Sequence, residues 1–211
     1  MAKTDWSEWH EAYAGPDSGL ADRLSAVRAQ ISRRLDETAP DPVRVVSACA
    51  GDGRDLIGVL RRRSDAHRVT ALLVEYDATL TARARAAAEP LSARVQVRLA
   101  DAAQSDVYAD SVPADLVLLC GIFGNISDAD VRTTIHAAPQ LCAPGAEVVW
   151  TRHRREPDLT PSIRQWFAEA AFEEVAFVSS DNHDWSVGVH RLVGDPPPAL
   201  ETGQAWFEFF G

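Results

Sequence analysis

The feature that most constrains this chain is a repeated switch between runs of consecutive apolar residues and stretches with helical spacing. VRVVSACA (43–50) is a short apolar run, β-branched at its start, followed at once by Gly51-Asp52-Gly53. Leu56, Ile57, Val59 and Leu60 then form one helical face that ends in Arg61-Arg62-Arg63, where cations complement a helix dipole. VTALLVEYD (69–77) reads as a buried strand, TLTARARAAAEPL (79–91) as an Ala-rich helix stopped near Pro90, and RVQVRLAD (94–101) and ADLVLLCGIF (114–123) as two more strands. Ser127-Asp128-Ala129-Asp130 has the form of a capping box opening a helix with Val131 and Ile135. GAEVVWT (145–151) is the next strand, and Thr160-Pro161 supply an N-cap and first position for a helix with Ile163, Trp166, Phe167 and Ala170. EEVAFVSS (173–180) and WSVGVHRLVG (185–194) close the series with no helix between them, ahead of a Pro-rich bend and an aromatic tail.

This rhythm predicts an α/β fold: a Rossmann-like, doubly wound, mostly parallel sheet with an antiparallel strand near the C-terminus. Ahead of it, Leu20, Leu24, Val27, Ile31 and Leu35 mark the apolar stripe of a helix. Residues 1–39 are therefore read as an N-terminal helical cap or lid and 40–211 as the Rossmann-like unit, within one structural domain.

Charge and composition narrow the partners. Lys+Arg is 21 and Asp+Glu 31, a net charge of −10 that repels polyanions, so no nucleic acid is expected. No apolar run approaches the roughly 18–20 residues that span a bilayer, and MAKTDWSEWHEAY lacks the apolar core of a secretory signal, so no membrane is expected either. Three cysteines with no close pair (Cys49, Cys120, Cys142) fit a reducing, cytoplasmic setting. Cys49 and Cys120 read as small buried hydrophobes. The histidines have no metal-ligand spacing with Cys or acids, and no metal is predicted.

In an open α/β sheet, ligands bind beyond the carboxyl ends of the strands. The first strand ends in Cys49-Ala50-Gly51-Asp52-Gly53-Arg54-Asp55, whose glycines admit a ligand close to the backbone. Glu75 closes the next strand 75 − 53 = 22 positions past Gly53, matching the roughly 20-residue interval at which a carboxylate takes a ribose diol. Asp52 and Asp55 flank Gly53 and oppose a pyrophosphate. A nucleoside carrying a sulfonium and an ammonium suits them better.

Segments 43–60, 72–85, 95–101 and 114–125 together resemble the class I S-adenosylmethionine-dependent methyltransferases, with the order of elements agreeing over about residues 40–194. VVSACAGDGRDL stands at the family's glycine-rich signature and LLVEYDATLTARAR at its second motif. The resemblance implies S-adenosyl-L-methionine as cofactor, bound by Ser47, Ala48, Gly51, Gly53, Arg54, Asp55, Glu75 (the ribose acid), Tyr76, Asp101 (beside the adenine amino group), Ala102, Cys120, Gly121 and Phe123. Ser47 stands where the family usually has an acid and Cys49 where it has its first glycine. Contacts to the methionine ammonium then pass to backbone carbonyls or Asp55. CysGlyIlePheGlyAsn (120–125) replaces the Asn/Asp-Pro-Pro-Tyr string of enzymes that methylate bases and glutamine, which favours a small-molecule acceptor.

Several residues carry two readings. Trp6, Trp9, His10 and Tyr13 share a helical face, either docking a helix on the core or forming a lid in which Trp9 and Tyr13 contact the acceptor and His10 is a candidate base. Thr151-Arg152-His153-Arg154 is either a solvated loop or a site where Arg152 gathers an anionic acceptor and His153 serves as base. Asn125 contacts the acceptor or caps the next helix; Asp101 meets the ligand or caps a turn. His190 reads as a satisfied sheet histidine. Two other functions stand beside methyl transfer. One is an NAD(P)-dependent oxidoreductase, disfavoured by the acidic turn and the lack of a Tyr-x-x-x-Lys pair. The other is a non-catalytic S-adenosylmethionine-binding module.

Overall fold

The computed structural model describes residues 19–180, 184–194 and 199–210. In chain order the helices are α1 (Gly19–Glu37), α2 (Leu56–Leu60), α3 (Ala78–Ala88), α4 (Asp128–Ala137) and α5 (Thr160–Glu169). The strands are β1 (Val43–Ala48), β2 (Val69–Glu75), β3 (Arg94–Leu99), β4 (Ala114–Leu119), β5 (Cys142–His153), β6 (Phe172–Ser179) and β7 (Trp185–Leu192). They form one seven-stranded sheet in the order β3-β2-β1-β4-β5-β7-β6. The pairs from β3 through β5 are parallel, and β7 runs antiparallel to both β5 and β6. The expected antiparallel strand is thus β7. Strand order reverses between β1 and β4, which opens a crevice at their carboxyl ends.

Period-two alternation divides the apolar strand residues between two cores. On one face Val46, Ala48, Leu72, Val74, Val117, Leu119, Val148 and Trp150 pack with α4, α5 and the C-terminal tail. On the other, Val45, Leu73, Leu116, Leu118 and Val149 meet α1, α2 and α3. Trp150 is the hub of the first core: its indole stacks on Phe167, lies near Phe123 and Phe177, and donates through Nε1 to His190 Nδ1 at 3.1 Å. Across the β5–β7 ladder it faces Gly188, where a Cβ would lie 2.2 Å from the indole.

Helix α1 belongs to the second core, with Val27, Ile31 and Leu35 buried. Its far end is clamped by Glu147, a β5 carboxylate with no exposed side-chain surface that accepts from Arg33 at 2.5 Å and Arg191 at 2.7 Å. Burial alone would raise this carboxyl, but the bonds from Arg33 and Arg191 outweigh it and hold it below the usual carboxylate range. The aromatic stripe Trp6, Trp9, His10 and Tyr13 lies outside the described residues.

Local signals hold with small shifts. Ser127 accepts from the Asp130 N–H at 3.1 Å and caps α4. The cap of α5 differs from the expected one: Thr160 is the first helical residue and is buried, and Asp158 Oδ1 accepts its N–H at 2.9 Å. Arg63, after α2, pairs with Asp36 and Asp65 at 2.6 and 2.8 Å. Residues 199–210 cross the first core as an aromatic strap, with Trp206 stacked on Tyr108 at 5.7 Å.

Candidate active site

Three strand ends are stitched together at the crevice. The Ala50 N–H donates to the Val74 carbonyl and the Ala100 N–H to the Glu75 carbonyl. The Glu75 carboxylate takes the Gly51 N–H on Oε2 at 2.7 Å and the Asp77 N–H on Oε1 at 2.8 Å. Burial raises this carboxyl, against the pull of the Asp77, Gly51 and Tyr76 N–H groups. A carboxylate has about four lone-pair sites, so acceptor capacity remains beside these N–H groups. Beyond Glu75 the surface is apolar and open: Tyr76 is 74% exposed and Leu99, the register partner of Glu75, is 49% exposed. Asp101 stands exposed next to them, accepting the Ala103 N–H at 2.9 Å, so it caps a turn while its carboxylate still faces solvent.

The turn itself is left-handed at three positions: Cys49 at φ 52°, Gly51 at φ 58° and Gly53 at φ 72°. Cys49 therefore holds a backbone that glycine would adopt freely, at a cost of about 1 kcal/mol for an L-residue. A Cβ on Gly53 would lie 2.6 Å from Ile57 and 2.8 Å from Leu73, so the glycine also seats α2 on the sheet. Burial, with Glu75 and Asp101 nearby, pushes the Cys49 thiol far up, which keeps it protonated.

The charges of the turn are arranged otherwise than expected. Arg54 folds back onto Asp52, donating from Nε at 2.9 Å and Nη2 at 2.6 Å, and closes an ion pair inside the turn. Asp55 is buried and caps α2, accepting the Leu56 N–H at 2.7 Å. What opposes a pyrophosphate is thus less a field from two loose carboxylates than occupied donors: carboxylates already hold the Gly51 and Leu56 N–H groups. Ser47, Ala48, Ala102 and Phe123 are all closed off by 3% exposure or less. They shape the crevice from behind and reach no open surface.

On the β4–β5 side, Gly121 sits at φ 79° with open space where a Cβ would be, and its N–H donates to Thr151 Oγ1 at 2.8 Å. Cys120 packs toward the second core and Cys49 toward the first, so the two thiols lie on opposite faces of the sheet. Asn125 neither caps α4 nor points into open space; its Nδ2 donates to the Gly121 carbonyl at 2.7 Å and ties the loop to itself. Arg152 is 8% exposed, and its Nη1 donates to the Phe123 carbonyl while Nη2 lies 3.9 Å from Asp128. The expected anion-gathering arginine is therefore a strut of this loop, because a buried guanidinium takes the nearest carbonyl. His153 packs its ring against Gly124, and burial together with Arg152 and Arg155 lowers its pKa, leaving it neutral at pH 7. His190 is satisfied on one nitrogen only: Nδ1 accepts from Trp150, and Nε2 is buried 3.6 Å from Glu174. His10, Trp9 and Tyr13 lie outside the described residues.

One structural element of the site was not anticipated. The C-terminal strap joins both rims: the Trp206 N–H donates to the Ala103 carbonyl and the Phe210 N–H to the Asn125 carbonyl, each at 3.0 Å. Among the described residues no cluster of metal-ligating side chains gathers, and no helix is long and apolar enough to cross a membrane.

No family model matches the chain, and no curated protein sequence matches it. Solved structures do. Magnesium protoporphyrin IX methyltransferase from Synechocystis PCC 6803, with S-adenosylmethionine bound, superposes with a TM-score of 0.67 at 11% identity, covering 90% of this chain and 91% of that one. A possible exported protein from Bordetella parapertussis gives 0.63 at 17% identity, covering 82% and 68%. A TehB-like S-adenosylmethionine-dependent methyltransferase from Corynebacterium glutamicum gives 0.56 at 16% identity, covering 81% and 95%. The chain thus has the fold of the class I S-adenosylmethionine-dependent methyltransferases.

Proposed function

We propose that this protein transfers the methyl group of S-adenosylmethionine to a small-molecule acceptor. The observation that carries the reading is the Glu75 carboxylate, held by two backbone N–H groups with lone pairs to spare, at the switch point of this sheet. Those lone pairs suit a ribose diol. Tyr76 and Leu99 offer an apolar shelf for a planar base, and the Asp101 carboxylate an acceptor for its amino group. The bound sulfonium would supply an electrophilic methyl, and the chain's task is alignment and exclusion of water.

Gly121 and the loop it opens, fixed by Thr151, Asn125 and Arg152, would border the acceptor. Neutral His153 is placed to hold the proton of an acceptor hydroxyl or ammonium at its ring; His10 is the other candidate. With Arg152 engaged internally, an anionic acceptor would have to meet Arg154 and Arg155, which are exposed beside His153. The acceptor is read as neither a nucleic acid nor a membrane lipid, and the reaction as cytoplasmic, on the grounds of charge and cysteine usage given above. Calorimetric titration with S-adenosylhomocysteine and NADH tests the reading. Micromolar binding of the first and none of the second supports it; the reverse replaces it with a nicotinamide enzyme. Binding without methyl transfer to any of a panel of phenols, amines and carboxylic acids favours a non-catalytic module.

A further inference from the structure

Helix α1 makes a contact with the glycine turn that no part of the proposed function uses. Arg28, on the third turn of α1, donates to the Arg54 carbonyl from Nε at 3.0 Å and from Nη2 at 2.5 Å. Its guanidinium occupies the space over Gly58, where a Cβ would come within 2.4 Å of Nη2 and 2.7 Å of Cζ. Gly58 lies inside α2, a position where glycine weakens a helix and needs a packing reason. The guanidinium is that reason. Arg54 forms the ion pair with Asp52 and directly precedes the Asp55 cap, so one side chain from α1 grips the turn where it runs into α2.

We propose that Arg28 is a positioning residue for the ligand-binding turn 49–55, and that Gly58 is glycine in order to admit it. The physical case is directional. A guanidinium presents two parallel donors in a plane, and here both converge on one carbonyl whose orientation sets the peptide between Arg54 and Asp55. Without it, that part-buried carbonyl turns toward water and carries with it the cap that starts α2. Arg28 also supplies positive charge beside Asp55, whose buried carboxylate has Asp52 as its other near charge. The assignment rests on the methyl-donor reading only in the choice of test ligand.

Two substitutions remove the grip by different routes. Arg28→Gln deletes the donors; Gly58→Ala leaves Arg28 in place but puts a methyl group where its guanidinium lies, while improving the helix propensity of α2. Affinity for S-adenosylhomocysteine is expected to fall about tenfold in both. The melting temperature should fall slightly in Arg28→Gln and hold or rise in Gly58→Ala, and a purely structural arginine would not separate affinity from stability in this way. Arg28→Lys, with charge but a single donor group, should recover part of the lost affinity. Wild-type affinity in both Arg28→Gln and Gly58→Ala would overturn the proposal. Amide hydrogen exchange on the unliganded protein covers the case in which the wild type binds no S-adenosylhomocysteine, which would remove the methyl-donor reading alone. Exchange at Gly53 and Arg54 about tenfold faster in Arg28→Gln still supports the positioning role, and unchanged exchange there refutes it.

Discussion

At the ends of β2 and β3 the carboxylates of Glu75 and Asp101 accept backbone N–H groups, whereas beside β4 and β5 Asn125 and Arg152 donate inward to carbonyls while Thr151 accepts the Gly121 N–H. Glu75 takes the N–H groups of Gly51 and Asp77, and Asp101 takes that of Ala103. Arg152 donates from Nη1 to the Phe123 carbonyl and lies near Asp128, with its Nε buried and unpartnered, and Asn125 donates its amide to the Gly121 carbonyl. The difference is one of valence. A carboxylate oxygen can serve the backbone and a ligand at the same time. A buried guanidinium committed to a carbonyl has little left to offer outward. The first half of the crevice is thus at once built and open, while in the second half Asn125, Thr151 and the Nη1 of Arg152 are engaged in building and open space remains beside Gly121.

The comparison can be broken at either end, and the largest effect is expected where construction dominates. Trp150→Ala should cost about 3–5 kcal/mol of stability in chemical denaturation, since it empties the stack shared with Phe167 and His190. Below its unfolding transition the variant should still bind S-adenosylhomocysteine with near wild-type affinity. Loss of binding in the folded variant would mean that the two halves of the sheet are coupled. Glu75→Gln attacks the other half: an NH2 now faces one of two backbone N–H groups. Affinity should fall by about 2–3 kcal/mol, a Kd change of roughly 30–150-fold, with a smaller change in melting temperature. A variant that binds as the wild type does would show that the ribose acid lies elsewhere.

What the sequence disclosed follows the same division. The alternation of strands and helices, the Glu75 interval and the Ser127 cap depend on residues close in sequence or on strand ends in a fixed topology, so pattern alone finds them. Position after a strand end predicts an outward Arg152, in a solvated loop or gathering an anion, yet its direction is set by a carbonyl 29 positions away. The resemblance implies that Phe123 lines the crevice, whereas the ring is fully buried in the first core near Trp150. The strap's hold on Tyr108 through Trp206, and on both rims through its backbone, joins segments about a hundred residues apart and leaves no local trace. For Arg28 a signal did exist: an unexplained glycine inside a short helix.

His190 offers a test of how closed the construction half is. Burial lowers its pKa from the ordinary 6.5 to about 4, although Glu174 opposes this; Arg164 is the third charge nearby. The folded form therefore refuses a proton that the unfolded chain accepts below about pH 6.5. Stability should be fully present above that pH and decline as it falls toward 4, with a loss of about 2 kcal/mol between pH 7 and pH 5. His190→Phe should flatten this slope in denaturation curves at the two pH values. An unchanged slope would assign the acid sensitivity to other groups.

The smallest expected effect separates the two halves most finely, because it concerns backbone rather than side chain. Cys49 holds φ 52° without being glycine. Cys49→Gly would relieve about 1 kcal/mol of left-handed strain and would lose a comparable amount through greater freedom of the unfolded chain and the missing sulfur contacts. Net stability should therefore move by less than about 1 kcal/mol, and affinity for S-adenosylhomocysteine should hold. Cys49→Val has the same freedom to bury its side chain but is branched at Cβ, where a left-handed backbone is most crowded. It should lose about 2 kcal/mol more than the glycine variant and weaken binding, because the turn can relax only by moving Ala50 and Gly51 away from β2. If valine and glycine behave alike in both stability and affinity, the turn is not held rigidly by its seams to Val74 and Glu75. The contrast between an open, backbone-built half and a closed, side-chain-built half would then fail at the point on which ligand binding depends.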